Sequence, residues 1–146
     1  MFFGQDREQL RSVYCEAWRR HRQGQALPPL QAQIVAVIAC HPQYQSLLEN
    51  REQALASEYL PGLGESNPFL HMGMHLALQE QISTDRPAGI RELYQRLAAR
   101  HPDTHGLEHR LMECLAEMFW QAQRACSAPD ETRYLDCIRR LTTGHE

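Results

Sequence analysis

Apolar positions recur three and four residues apart along most of the chain, which is the period of an amphipathic helix. Leu10, Val13, Tyr14, Ala17, Trp18 and His21 fall on one such stripe, so the spacing predicts a first helix ending before Gly24 and the Pro28-Pro29 pair. Leu30 to Cys40 is apolar on nearly every side, the pattern of a well-buried helix, and His41-Pro42 can close it. Tyr44, Leu47, Leu48, Leu55 and Tyr59 continue into a third helix. Pro61, Gly62, Gly64, Ser66 and Asn67 make the clearest loop, and Asn67-Pro68 reads as an N-cap followed by proline in the first turn of a fourth helix, running to about Ser83. Pro87 opens a fifth with Ile90, Leu93, Tyr94 and Leu97. Asp103 caps a sixth from Thr104 to Arg124, and Pro129-Asp130 introduces a last one with Tyr134, Ile138 and Leu141. No segment alternates as a strand does, and no repeat, low-complexity tract or linker interrupts the pattern. The expected fold is all-α, a compact multi-helix bundle of about six or seven helices, in a single domain spanning residues 1–146.

Composition narrows the function classes. Hydrophobic residues are 42% of the chain and charged residues 23%, as in ordinary globular proteins. The N-terminus reaches charge at Asp6, and the longest apolar run, near Ile34 to Cys40, is far too short to cross a bilayer, so neither secretion nor a membrane is expected. Net charge is −3 with acidic and basic residues interspersed along the helices, which argues against nucleic acid as a partner. All 15 cationic residues are Arg, a bias read as coding preference. The cysteines, at 15, 40, 114, 126 and 137, are odd in number and contain no Cys-x-x-Cys, and this predicts reduced thiols and a cytoplasmic location.

Histidine carries the strongest chemical signal. The fourth helix contains His71-x-x-x-His75 and the sixth His105-x-x-x-His109, each pair projecting two imidazoles from one helix face. Chance placement of 8 histidines would give about 0.4 such pairs, and the chain has three if His101 with His105 is included, although Pro102 separates His101 from that helix. The first pair continues into Leu78 and Ile82, the second into Met112, Ala116 and Phe119, so both lie on or beside apolar stripes. Imidazoles turned inward need partners, and His71, His75, His105 and His109, with Glu113 as carboxylate, are the candidate ligands for a transition metal, Zn or Fe foremost. Glu108 is a weaker carboxylate candidate, His41 could reach a shared site from a helix end, and Glu80 lies on the far side of its helix from His71. The metalloprotease pattern His-Glu-x-x-His and the di-iron pattern Glu-x-x-His are absent from both pairs, and no glycine-rich loop suggests a nucleotide cofactor. Trp18, Phe69, Phe119 and Trp120 read as core residues and not as a ligand platform. The competing reading is an interaction or structural module in which the histidines are packing and hydrogen-bonding residues and an exposed apolar face receives a protein partner or forms a homo-oligomer.

The stretch Asn67 to Ala77, followed by Glu80-Gln81 and Asp85 to Ile90, resembles a bacterial family catalogued as domain of unknown function 1841. His105, Glu108-His109, Met112-Glu113 and Trp120-x-Ala122-Gln123-Arg124 are similar to that family's second signature, and His41-Pro42-x-Tyr44 to an upstream element. The resemblance covers nearly the whole chain. It implies a bacterial one-domain protein and carries no activity with it.

Overall fold

Local signals place most helix boundaries. In the computed structural model, which describes residues 2–57 and 67–143, α1 spans Phe2–Arg22, α2 Pro29–Ala39, a 3-10 turn η1 Pro42–Tyr44, α3 Gln45–Glu49, α4 Arg51–Ala56, α5 Pro68–Thr84, α6 Ile90–Ala98, α7 Thr104–Ala125 and α8 Glu131–Thr143. The fold is all-α, with eight α-helices and no strand among the described residues, and none of these helices is long and apolar enough to cross a membrane. Pro29 sits in the first turn of α2. The Asn67 carboxamide oxygen accepts from the backbone N–H of Phe69 at 3.0 Å and Leu70 at 3.2 Å, capping α5 as its sequence predicts. Asp103 caps α7 through the Gly106 N–H at 3.1 Å, and Asp130 accepts from the Arg133 N–H at 3.2 Å at the start of α8.

The third predicted helix is broken. Its residues form η1, α3 and α4, because Asn50 leaves helical geometry (φ −108°, ψ 88°) and turns its side chain to cap α4 at the Gln53 N–H. Asn50 competes here with the helix that its apolar neighbours favour. Tyr59 and the loop residues 61–66 lie outside the described residues. Pro87 does not begin α6; it lies in the preceding turn, where the Asp85 carboxylate accepts from the N–H groups of Gly89 and Arg91, and Gly89 supplies the positive φ of 101° just before Ile90.

The chain divides into two compact units, Met1–Leu76 and Ala77–Glu146. In the first, Tyr14, Ala17 and Trp18 of α1 pack with Ile34, Val37 and Ile38 of α2, Leu48, Ala54, Phe69 and Met72. The buried face of α1 is rotated from its apolar stripe: Leu10 and Val13 are exposed, whereas Arg11 is only 2% exposed. The Arg11 guanidinium donates to the carbonyls of Ala54 (3.0 Å), Leu55 (3.4 Å) and Ser57 (2.7 Å), binding the carbonyl end of α4, and lies 4.9 Å from the Phe69 ring. Those orphan carbonyls draw a charged residue inward where periodicity favours leucine.

In the second unit, Ile90, Leu93 and Leu97 of α6, Leu107, Leu111, Leu115 and Met118 of α7, and Tyr134 and Ile138 of α8 form the buried face. Phe119 and Trp120 were expected in the core but stand exposed, because they step off the 107–111–115–118 stripe; Arg124 covers the Trp120 ring at 4.7 Å. The cysteine expectation also needs correction. Cys114 of α7 and Cys137 of α8 form a disulfide with Cα atoms 5.8 Å apart, leaving Cys15, Cys40 and Cys126 free. The α7–α8 hairpin turns at Cys126, a left-handed cap (φ 51°, ψ 45°), and Cys114 and Cys137 lie at nearly equal distances on either side of it.

Candidate metal centre

His41 follows the last turn of α2. Its backbone N–H donates to the Ile38 carbonyl at 2.9 Å, and Pro42 behind it starts η1. This places the ring against the C-terminal turn of α2, where Nδ1 meets the Val37 carbonyl at 2.8 Å, and the side chain is 2% exposed. A carbonyl only accepts, so Nδ1 carries the proton, and in the neutral ring Nε2 holds the lone pair. The Tyr44 ring stacks on His41 at 5.2 Å and 11°, fixing its plane, and burial pushes the Tyr44 hydroxyl pKa up against a lowering hydrogen bond to Gln43.

Against this ring come both histidines of α5. The centroids of His41, His71 and His75 are 4.9 Å apart in every pairing, at interplanar angles of 62° to 82°. Nε2 of His71 is 3.1 Å from Nε2 of His41. His75 is 1% exposed and His71 half-buried. The sequence pairs His71 with His75 from helical spacing alone. His41 completes the group, and its sequence signals are its place directly after an apolar helix and the His41-Pro42-x-Tyr44 element.

In the second unit, His105 and His109 face each other along the first turns of α7, centroids 4.3 Å apart at 69°, both half-buried. Gly106 between them is required by the cap: a Cβ there would stand 2.6 Å from Oδ2 of Asp103. Glu113, the expected carboxylate ligand, is exposed on α7, and Glu80 is exposed on α5. Glu108 is half-buried and accepts a long 3.4 Å hydrogen bond from Gln79. His101 is half-buried ahead of α7, outside the helix. The apolar stripe beyond His109 is interrupted, since Met112 is buried but Ala116 and Phe119 are exposed.

A family model described as domain of unknown function (DUF1841) matches residues 6–140. No curated protein and no solved structure matches the chain.

Proposed function

The chain belongs to the family described as domain of unknown function (DUF1841), and we propose that it is a transition-metal-binding protein whose ligands include His41, His71 and His75 of the first unit. The observation that supports this is that the three rings gather with centroids 4.9 Å apart in every pairing and with Nε2 of His71 3.1 Å from Nε2 of His41. Three imidazoles match the nitrogen ligands of a Zn site with an open fourth position and those of its first-row neighbours, and do not match the oxygen shells of Ca or Mg; by intrinsic affinity Zn is favoured over Fe(II). His41 has the outer hydrogen bond that a metal-bound imidazole ordinarily makes, Nδ1–H to the Val37 carbonyl, which aims Nε2 as the donor. His41 joins the His71 and His75 pair that the sequence singled out, and the exposed Glu113 is no member of the set.

The test is elemental analysis of tag-free protein purified without chelator, beside a His71→Ala/His75→Ala variant confirmed as folded by circular dichroism. Near-stoichiometric metal in the parent and its loss in the variant are expected. A metal-free parent whose melting does not respond to added Zn or Fe would dispose of the reading, as would a variant that keeps its metal. One observation favours the alternative of a protein-interaction module: Phe119 and Trp120 stand side by side on α7, 46% and 51% exposed. Metal-free protein would direct work to that face.

A further inference from the structure

A cleft of about 760 Å³ lies within the first unit, between one face of α1 and the junction of α3 with α4. That volume is in the range of sites that hold small molecules. The break at Asn50 creates it. Residues two apart in a continuous helix point about 200° away from each other, so Glu49 and Arg51 would then face opposite sides. With the non-helical Asn50 between them (φ −108°, ψ 88°), both line the cleft. Its wall is apolar and buried, formed by Cys15, Trp18 and Leu48, and its rim is charged.

The two acids on that rim are already committed. Glu16 accepts hydrogen bonds from Arg19 and from Arg20, and the bond from Arg19 is the main reason its carboxyl is held down to about 2. Glu49 accepts from the Trp18 indole N–H at 3.2 Å. Arg22 and Arg51 still have donors to give. The Arg22 guanidinium stands 3.7 Å from Glu49, too far for a hydrogen bond, and Arg51 makes no hydrogen bond or ion pair among the described residues. Arg51 nevertheless acts on the cleft: burial pushes the Cys15 thiol pKa up, and the Arg51 charge pulls it partly back.

We propose that this cleft binds a small organic carboxylate, with its apolar body against Trp18 and Leu48 and its carboxylate on the guanidinium groups of Arg51 and Arg22. A guanidinium offers paired N–H donors that match the two oxygens of a carboxylate. The lining carries three Arg against two Glu, a surplus of one positive charge, which balances a monoanion better than a phosphate dianion. The apolar wall gives a bare inorganic anion nothing to bury. None of the histidines lines the cleft, so the proposal stands independently of the metal reading.

The experiment titrates the full-length protein with phenylpropanoate and with octanoate, and follows the indole N–H proton resonances by NMR. Trp18 and Trp120 are the two tryptophans, and Trp120→Phe, an exposed change, assigns them. A saturable shift of the Trp18 resonance is expected, with Trp120 unmoved. Arg51→Gln removes an exposed charge and should melt with the parent, while binding either acid roughly tenfold more weakly, the loss of one charge-assisted hydrogen bond. The neutral phenylpropanamide should bind equally weakly to parent and variant. The proposal is overturned if neither acid shifts Trp18 saturably, if acid and amide bind alike, or if Arg51→Gln keeps the parent's affinity. Inorganic phosphate binding as tightly as the two acids would also overturn it, leaving a plain anion site.

Discussion

Breaking the Cys114–Cys137 bridge should cost the protein a large part of its stability. The bridge ties α7 to α8 across 23 residues of sequence. Closing a loop of that size removes roughly 11 cal/mol/K from the unfolded chain, or about 3 kcal/mol at 25 °C. For a chain of this length each kcal/mol moves the melting temperature by about 3 °C, so the drop should be about 10 °C. Cys114 is 3% exposed beside Leu115 and Met118, so replacement must keep its size, and a Cys114→Ser/Cys137→Ser double variant avoids leaving one thiol unpaired. A cavity of about 270 Å³ is lined by both cysteines together with Glu117, Gln121, Arg133 and Tyr134. Circular dichroism melts of the parent with and without a phosphine reductant, and of the double variant, should give one high and two matching low transitions. Thiol titration of unfolded, unreduced protein should count the three free cysteines, rising to 5 after reduction. Five thiols without reductant, or melting unchanged by the double substitution, would refute the reasoning.

Two further outcomes follow from buried polar contacts. Arg11→Met should destabilise by about 3 kcal/mol, since it strips charged hydrogen bonds from the carbonyls of Ala54 and Ser57, and Arg11→Lys should recover only part; urea unfolding measures both, and a Met variant as stable as the parent would contradict the assignment. Tyr134 is 1% exposed and donates to the Gln81 side-chain oxygen at 2.6 Å, and burial raises its pKa well above the ordinary phenol value. The folded state therefore favours the neutral phenol: that stability is complete below about pH 10 and is lost as pH climbs toward the raised value. Absorbance titration near 295 nm should show a delayed tyrosinate step coincident with loss of helix, and Tyr134→Phe should diminish it; a variant titrating like the parent would assign the delay elsewhere.

What the sequence disclosed was local. The caps at Asn67 and Asp103 act within three residues of themselves, so α5 and α7 begin where their letters say. Helical phase alone joins His71 to His75 and His105 to His109, because residues four apart share a face whatever surrounds them. The misplaced features depend on distant chain. Arg11 is drawn inward by the carbonyl end of α4, more than forty residues away. Cys114 meets Cys137 because a hairpin folds midway between them, a symmetry that the sequence contains but that means nothing until the turn at Cys126 is recognised. His41 belongs to a group with two residues thirty or more positions on, and neither the end of α2 nor the short His41-Pro42-x-Tyr44 element says which residues it will meet.

The two kinds of information meet in how the donors are held. A helix is least ordered in its first turn, where four N–H groups lack internal partners. Both histidine pairs begin close to that turn: His71 stands four residues after Asn67, and His105 two after Asp103. Without the caps, fraying would disperse the imidazoles, and a metal ion would have to supply the ordering entropy from its own binding energy. Asn67 and Asp103 fix those turns in advance, and Gly106 is kept small so that Asp103 can close on its N–H. His41, outside any α-helix, is held instead by Val37 at one ring nitrogen, His71 at the other and Tyr44 across its face. Each histidine of the proposed set therefore either belongs to a helix with a secured start or is fixed by its own neighbours, which is the preorganisation that selective metal binding requires.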